Sequence, residues 1–181
     1  TLELAENTFL NAGTNISGTG TLKVSAQTTT INQVLTLNLP LTVTGGTLDV
    51  DAAITANELV TFSSGTISGD AAITADKNMI WSGGIFSGQL IIPNGNTPAA
   101  TLSITGSGTK TLAGTLDQNS KTTWDAGTLS FSGSGVFNNT DTNFAFLFLY
   151  LGKDMPTFEQ LDHKMKLVLN KFKLQIDEKN S

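Results

Sequence analysis

The chain has 181 residues and a net charge of −5, and all ten of its cations are lysine. An acidic chain without arginine lacks the basic clusters that phosphate contacts need, which argues against nucleic-acid binding. It has no cysteine, which excludes disulfides, thiolate metal sites and cysteine nucleophiles. Charged residues make up only 14%, threonine is the commonest residue and glycine occurs 18 times, a balance that favours short strands and tight turns over helices.

In chain order, Thr1–Leu10 carries no basic n-region and no long apolar run, so no signal peptide is expected there. The missing initiator methionine reads as a segment cut from a longer polypeptide. A weak repeat unit opens at Thr21. Two strong ones follow, TLDVDAAITANELVTFSSG from Thr47 to Gly65 and TISGDAAITADKNMIWSGG from Thr66 to Gly84. They align without a gap. A weaker unit opens at Ile85, a strong one (TKTLAGTLDQNSKTTWDAG) runs from Thr109 to Gly127, and a weaker one opens at Thr128. Three of the five intervals between these starts are equal. The other two are longer, which places insertions before Thr47 and between Ile85 and Thr109.

Each strong unit ends in an aromatic residue, two small or polar residues and a glycine: Phe62 to Gly65, Trp81 to Gly84, Trp124 to Gly127. Val43 to Gly46 is an aliphatic version. A short stretch of alternating apolar and polar residues follows each glycine, the period of a strand with one buried face. Strands this short cannot form a core alone, but coiled so that equivalent strands stack, they can. The expected fold is therefore all-β: a single-stranded parallel β-helix, or β-solenoid, over residues 1–143, with rungs of about 19 residues. A fixed gapless period is not expected of the competing architecture, an antiparallel β-sandwich.

The spacing predicts three interior ladders: Leu48, Ile67, Phe86 and Leu129; Ile54, Ile73 and Leu116; and Phe62, Trp81 and Trp124. Gly46, Gly65, Gly84 and Gly127 are expected to turn the corners with positive φ. Lys110 falls where an inward residue belongs. A local register shift of one is expected there, with Leu112 and Leu116 filling the core.

The phrases TLSITGSGTKTLAGTL (Thr101–Leu116) and WDAGTLSFSGSGVFNN (Trp124–Asn139) resemble repeats of large bacterial surface and secreted proteins, the autotransporter-like and filamentous-haemagglutinin-like β-solenoids. The resemblance covers roughly residues 16–139. It implies the right-handed parallel β-helix of the pectin-lyase superfold, an extracellular or cell-surface location, and a non-catalytic spacer or adhesive role. It transfers no catalytic residue. Partners would be host or environmental glycans or proteins and the flanking rungs of a longer chain. No enzyme activity, cofactor or metal is expected.

The competing reading is a carbohydrate-active enzyme or carbohydrate-binding module on the same fold. Pectate-lyase-like enzymes hold calcium with stacked acidic residues, and hydrolases of this fold use paired carboxylates. Asp49, Asp51 and Asp70 are the best acidic cluster, with Asp117 a further carboxylate. Asp51 and Asp70 sit at equivalent positions of adjacent units. Against that stand two solvated turn aspartates, with no arginine and only Lys77 nearby in sequence. Trp81 and Trp124 could stack on sugars, although their place before a corner glycine fits a core ladder better. The threonines fall irregularly, whereas an ice-binding ladder needs T-x-T on every rung. Asn15–Ser17 and Asn138–Thr140 match a glycosylation sequon short enough to arise by chance.

Composition changes after Asn143, where six of the ten lysines lie. The apolar run Phe144–Leu151 is too short to span a bilayer, so no membrane insertion by this segment is expected. Thr157 and Gln160 form a capping-box pattern, and Phe158, Leu161, Met165, Val168 and Phe172 follow at helical spacing. An amphipathic helix over about residues 157–176 is expected in a tail spanning 144–181. It would cap the solenoid, bind a partner or second helix, or be foreign to the repeat. His163, the only histidine, is expected on its solvated face with no nucleophile or metal partner.

Overall fold

The structure is a computed structural model and describes residues 1–95 and 98–139. The expected tail helix, His163 and the boundary after residue 143 lie outside the described residues.

Alternation with a glycine or polar corner every few residues gives twenty strands of three or four residues among the described residues. The first rung holds β1 (Leu2–Leu4) and β2 (Thr8–Leu10). The second holds β3 (Leu22–Val24), β4 (Thr28–Ile31) and β5 (Leu35–Leu37). The third holds β6 (Leu41–Val43), β7 (Thr47–Val50) and β8 (Ile54–Ala56), and the fourth β9 (Val60–Phe62), β10 (Thr66–Ser68) and β11 (Ala72–Ala75). The fifth holds β12 (Asn78–Trp81), β13 (Gly84–Phe86) and β14 (Gln89–Ile92), and the sixth β15 (Thr101–Ile104), β16 (Thr109–Leu112) and β17 (Thr115–Gln118). The seventh holds β18 (Lys121–Trp124), β19 (Thr128–Phe131) and β20 (Val136–Asn139).

Successive rungs stack into three parallel sheets. The first runs β1-β3-β6-β9-β12-β15-β18, the second β2-β4-β7-β10-β13-β16-β19 and the third β5-β8-β11-β14-β17-β20. The fold is thus an all-β parallel β-solenoid of about seven turns. Leu22, Leu41, Val60 and Met79 are successive register partners in the first sheet, one repeat apart. The step from Met79 to Leu102 is longer, and Leu102 pairs in turn with Thr122.

Inward residues form continuous columns. In the first sheet, Leu4, Val24, Val43, Phe62, Trp81, Ile104 and Trp124 stand in register. In the third, Leu35, Ile54, Ile73, Leu90, Leu116 and Phe137 do so. Phe62, Trp81 and Phe86 meet inside the coil. Phe62 and Trp81 stack at 6.1 Å between ring centroids, and Phe86 meets them edge-on at 6.4 and 6.2 Å, arrangements that aromatic quadrupoles favour.

The corners explain the glycines. Gly46, Gly65, Gly84 and Gly127 all have positive φ. At Gly84 a side chain is excluded twice over: its φ is +90°, and a Cβ would lie 2.5 Å from the Phe62 ring and 2.8 Å from the Gly65 carbonyl oxygen. Gln27 precedes Thr28 as Gly46 precedes Thr47, and it holds φ +50° without glycine's freedom.

Three expectations need correction. First, no insertion precedes Thr47. Its register partner is Thr28, one regular repeat earlier, while the TLKV segment at Thr21 belongs to the first sheet and pairs with Leu41–Val43. Alternating segments on different sides of the coil look alike, and TLKV and TLDV share a pattern without sharing a side. Second, Leu129 does not continue the column of Leu48, Ile67 and Phe86. Leu112 and then Phe131 do, while Leu129 pairs with Lys110 and Lys110 with Gly84. The register shift at Lys110 is two residues, not one. A shift of one would have turned every side chain of β16 to the opposite face, whereas two preserves the alternation. Third, Trp124 occupies its column yet is 54% exposed, because β18 ends its sheet among the described residues.

The extra length in the sixth rung sits in the connection of residues 93–100 between β14 and β15 and in the corner Thr105–Gly108. At the other end, the first rung has no strand in the third sheet. A loop of residues 11–20 takes its place. The Gln33 side chain holds it: Gly13 N–H donates to Oε1 at 2.9 Å, and Nε2 donates to the Thr14 carbonyl. Ile16 of this loop packs against the core.

Candidate functional site

The carboxylates named from the sequence do not share one arrangement. Asp49 points outward from β7 and accepts a hydrogen bond from Ser68 Oγ at 2.9 Å, one rung above. Asp51 and Asp70 are exposed in the corners that follow β7 and β10. Asp117 lies on the third sheet and is engaged on both oxygens, by Gln89 Nε2 at 3.1 Å and Asn138 Nδ2 at 2.7 Å. Lys77 pairs with Glu58 at 2.6 Å. Among the described residues no three His, Cys, Asp or Glu side chains come together in a metal-binding group.

The two tryptophans share a local device and differ in surroundings. Trp81 is fully buried, and its indole N–H donates to the Gly83 carbonyl at 3.0 Å. Trp124 repeats the bond to the residue two further on, Ala126, at 3.2 Å, while its ring faces solvent. Leu2, Ile16, Leu22 and Leu39 line a recess of about 130 Å³, below the roughly 300 Å³ at which small-molecule sites begin.

The outward threonines are irregular in sequence but ordered in space. Thr28, Thr47 and Thr66 stand in register on the second sheet, and Thr36, Thr55 and Thr74 on the third. β-Branched residues suit such a half-buried pleated surface. Their hydroxyls and methyl groups make these faces polar, with Asp49 on the second and Asp117 on the third.

Lys110 falls at the inward position expected from the sequence, but its surroundings were not disclosed there. It is the one charged side chain buried among the described residues, at 0% exposure. It lies opposite Gly84, at the level of the corner glycines. Its Nζ donates to the carbonyls of Gly106 at 2.6 Å, Gly108 at 3.1 Å and Ala126 at 3.2 Å. Three N–H groups meet three acceptors, which is what a buried ammonium requires. Burial pushes its pKa below the ordinary lysine value. The only hint in sequence is a lysine inside an alternating stretch just after the glycine-rich GSG.

Comparison with family models, with curated proteins and with solved structures found no match for this chain. Fold and site geometry therefore carry the functional reading.

Proposed function

We propose that this chain is a rigid, non-catalytic scaffold or spacer segment of a bacterial surface or secreted protein. In this reading it belongs with the autotransporter-like and filamentous-haemagglutinin-like right-handed β-helices, acts outside the cell or on its surface, and holds an adhesive region at a distance. Flanking rungs of a longer chain extend it, and its partners are glycans or proteins met by that adhesive region.

One observation supports this reading above the others: the inward columns run apolar and unbroken through the third to fifth rungs, while the outward faces carry short hydroxyl side chains in register. Such a coil resists bending because each rung is hydrogen-bonded to its neighbours along three sides, and it lengthens by about 4.8 Å per rung.

The test pairs mechanics with chemistry. Pulled from its ends, the described coil should resist and then yield in steps that release one rung at a time. Incubated with a panel of acidic and neutral polysaccharides, the chain should leave them intact. Turnover abolished by Asp51→Asn or Asp70→Asn would overturn the reading in favour of a carbohydrate-active enzyme.

A further inference from the structure

The sixth rung faces a choice that the repeat itself creates. Continued without interruption, the repeat's phase would set Thr109 opposite Ile85 and Lys110 opposite Phe86, because the unit at Thr109 aligns with the units at Thr66 and Thr47. The structure instead sets Thr111 opposite Ile85 and Leu112 opposite Phe86. The two registers differ by two residues. They keep the same faces inward, so the apolar–polar alternation cannot discriminate between them.

Lys110 can. In the repeat's own register its ammonium would rest on the Phe86 ring, in an interior of Trp81, Phe62 and Leu102, all fully buried and apolar. An ammonium so placed would lose its hydrogen-bond partners, a large penalty. Two residues along, it reaches a ring of carbonyls. Gly106 and Gly108 belong to the corner of its own rung and Ala126 to the corner of the next, so the three bonds tie the sixth rung to the seventh. The corner glycines suit this. Gly106 turns the chain with φ +71°, and a Cβ on Gly127 would lie 2.5 Å from Nζ. A side chain at Gly127 would crowd the ring, and one at Gly106 would press on Ser82 of the rung before.

We infer that Lys110 is a register lock: its ammonium, seated on the carbonyls of Gly106, Gly108 and Ala126, selects the two-residue-shifted pairing of β16 on β13 over the pairing the repeat favours. The lock makes the insertion of residues 93–100 tolerable. It fixes the phase of the second sheet anew on the far side of that connection, so that Leu112 and Phe131 resume the column of Phe86.

The absence of cysteine allows an unambiguous test in the full chain. Ile85→Cys with Thr111→Cys reports the observed register, since direct neighbours on parallel strands lie within disulfide reach. Ile85→Cys with Thr109→Cys reports the slipped one. Thr55→Cys with Thr74→Cys, in register two rungs away, reports the rest of the coil. With Lys110 present, the 85/111 and 55/74 bonds should form readily and the 85/109 bond should not. Adding Lys110→Met, which keeps the stem and removes the N–H groups, should cut the 85/111 yield severalfold and leave 55/74 unchanged. An unchanged 85/111 yield would overturn the lock. So would loss of the 55/74 bond alongside it, because Lys110 would then support the coil as a whole rather than one register.

Discussion

The third to fifth rungs and the last two turn the same kinds of corner but fill their interiors differently. In the former, every buried inward side chain is Leu, Val, Ile, Met, Ala or an aromatic ring, and the second-sheet partners hold to the regular period. In the latter, Lys110 and Gln118 enter the core, Thr122 takes a half-buried inward place, and the inward Trp124 and Phe131 are exposed. A solenoid is therefore not uniform along its axis. The regular rungs are held by packing, whereas the later ones depend on particular polar contacts, some of which are unmet.

The sharpest way to break this contrast uses one residue type in one column. Trp81→Ala should cost about 3–5 kcal/mol of unfolding free energy, the usual loss for a buried aromatic. Trp124→Ala should cost no more than about 1 kcal/mol, because its ring is already in water. Urea unfolding of both variants checks this, and equal losses would mean that the column is as well packed in the seventh rung as in the fifth.

Gly84→Ala comes next. It adds a left-handed backbone penalty of about 1–2 kcal/mol to the cost of pushing aside the Phe62 ring and the Gly65 carbonyl. A total near ~3 kcal/mol is expected in the same urea assay. Gly133 has φ +58°, and a Cβ placed there would meet nothing within 4 Å, so Gly133→Ala should cost the backbone penalty alone.

Gln118 sharpens the contrast from the other side. It is fully buried beside Ile92 in register, and neither its amide nitrogen nor its amide oxygen has a hydrogen-bond partner. Gln118→Met keeps the volume and removes the unpaired groups, so it should stabilise the chain by about 1–2 kcal/mol, read as a higher urea midpoint.

The smallest effect is a pH dependence. The folded chain holds the Lys110 proton less tightly than the unfolded one. Between the lowered folded value and about 10.4, the ordinary lysine value, the unfolded state therefore binds more protons. Stability then rises with pH through that window, and the increment is lost as pH falls through the folded pKa. Urea midpoints at about pH 8 and pH 10.5 should show the wild-type chain gaining relative to Lys110→Met.

Much of the fold was legible from residue order. The repeat period, the corner glycines and the inward residues between Thr47 and Phe86 follow from the gapless repeat, because identical phases must stack. The phase near Thr21 was not legible. A three-sided coil carries three alternating strands per rung, and alternation alone does not say which side a strand is on. Nor was the size of the shift at Lys110, expected as one residue, since a two-residue slip leaves the pattern intact. The Lys110 site was hidden for a further reason: its acceptors are backbone carbonyls, and only the glycines around them leave a trace in the sequence. The carboxylates show the reverse, since equivalent positions for Asp51 and Asp70 put them at matching corners without building a shared site.

Spin-label distances along one outward column test the stacking of the second to seventh rungs in this register most directly. Thr42 and Thr123 stand in the same first-sheet column, four rungs apart through Thr61, Ile80 and Ser103, and Lys23 lies one rung before Thr42. At about 4.8 Å per rung, backbone separations of roughly 19 Å for Thr42–Thr123 and roughly 24 Å for Lys23–Thr123 are expected. A Lys23–Thr123 distance equal to or shorter than the Thr42–Thr123 distance would contradict the stacked coil.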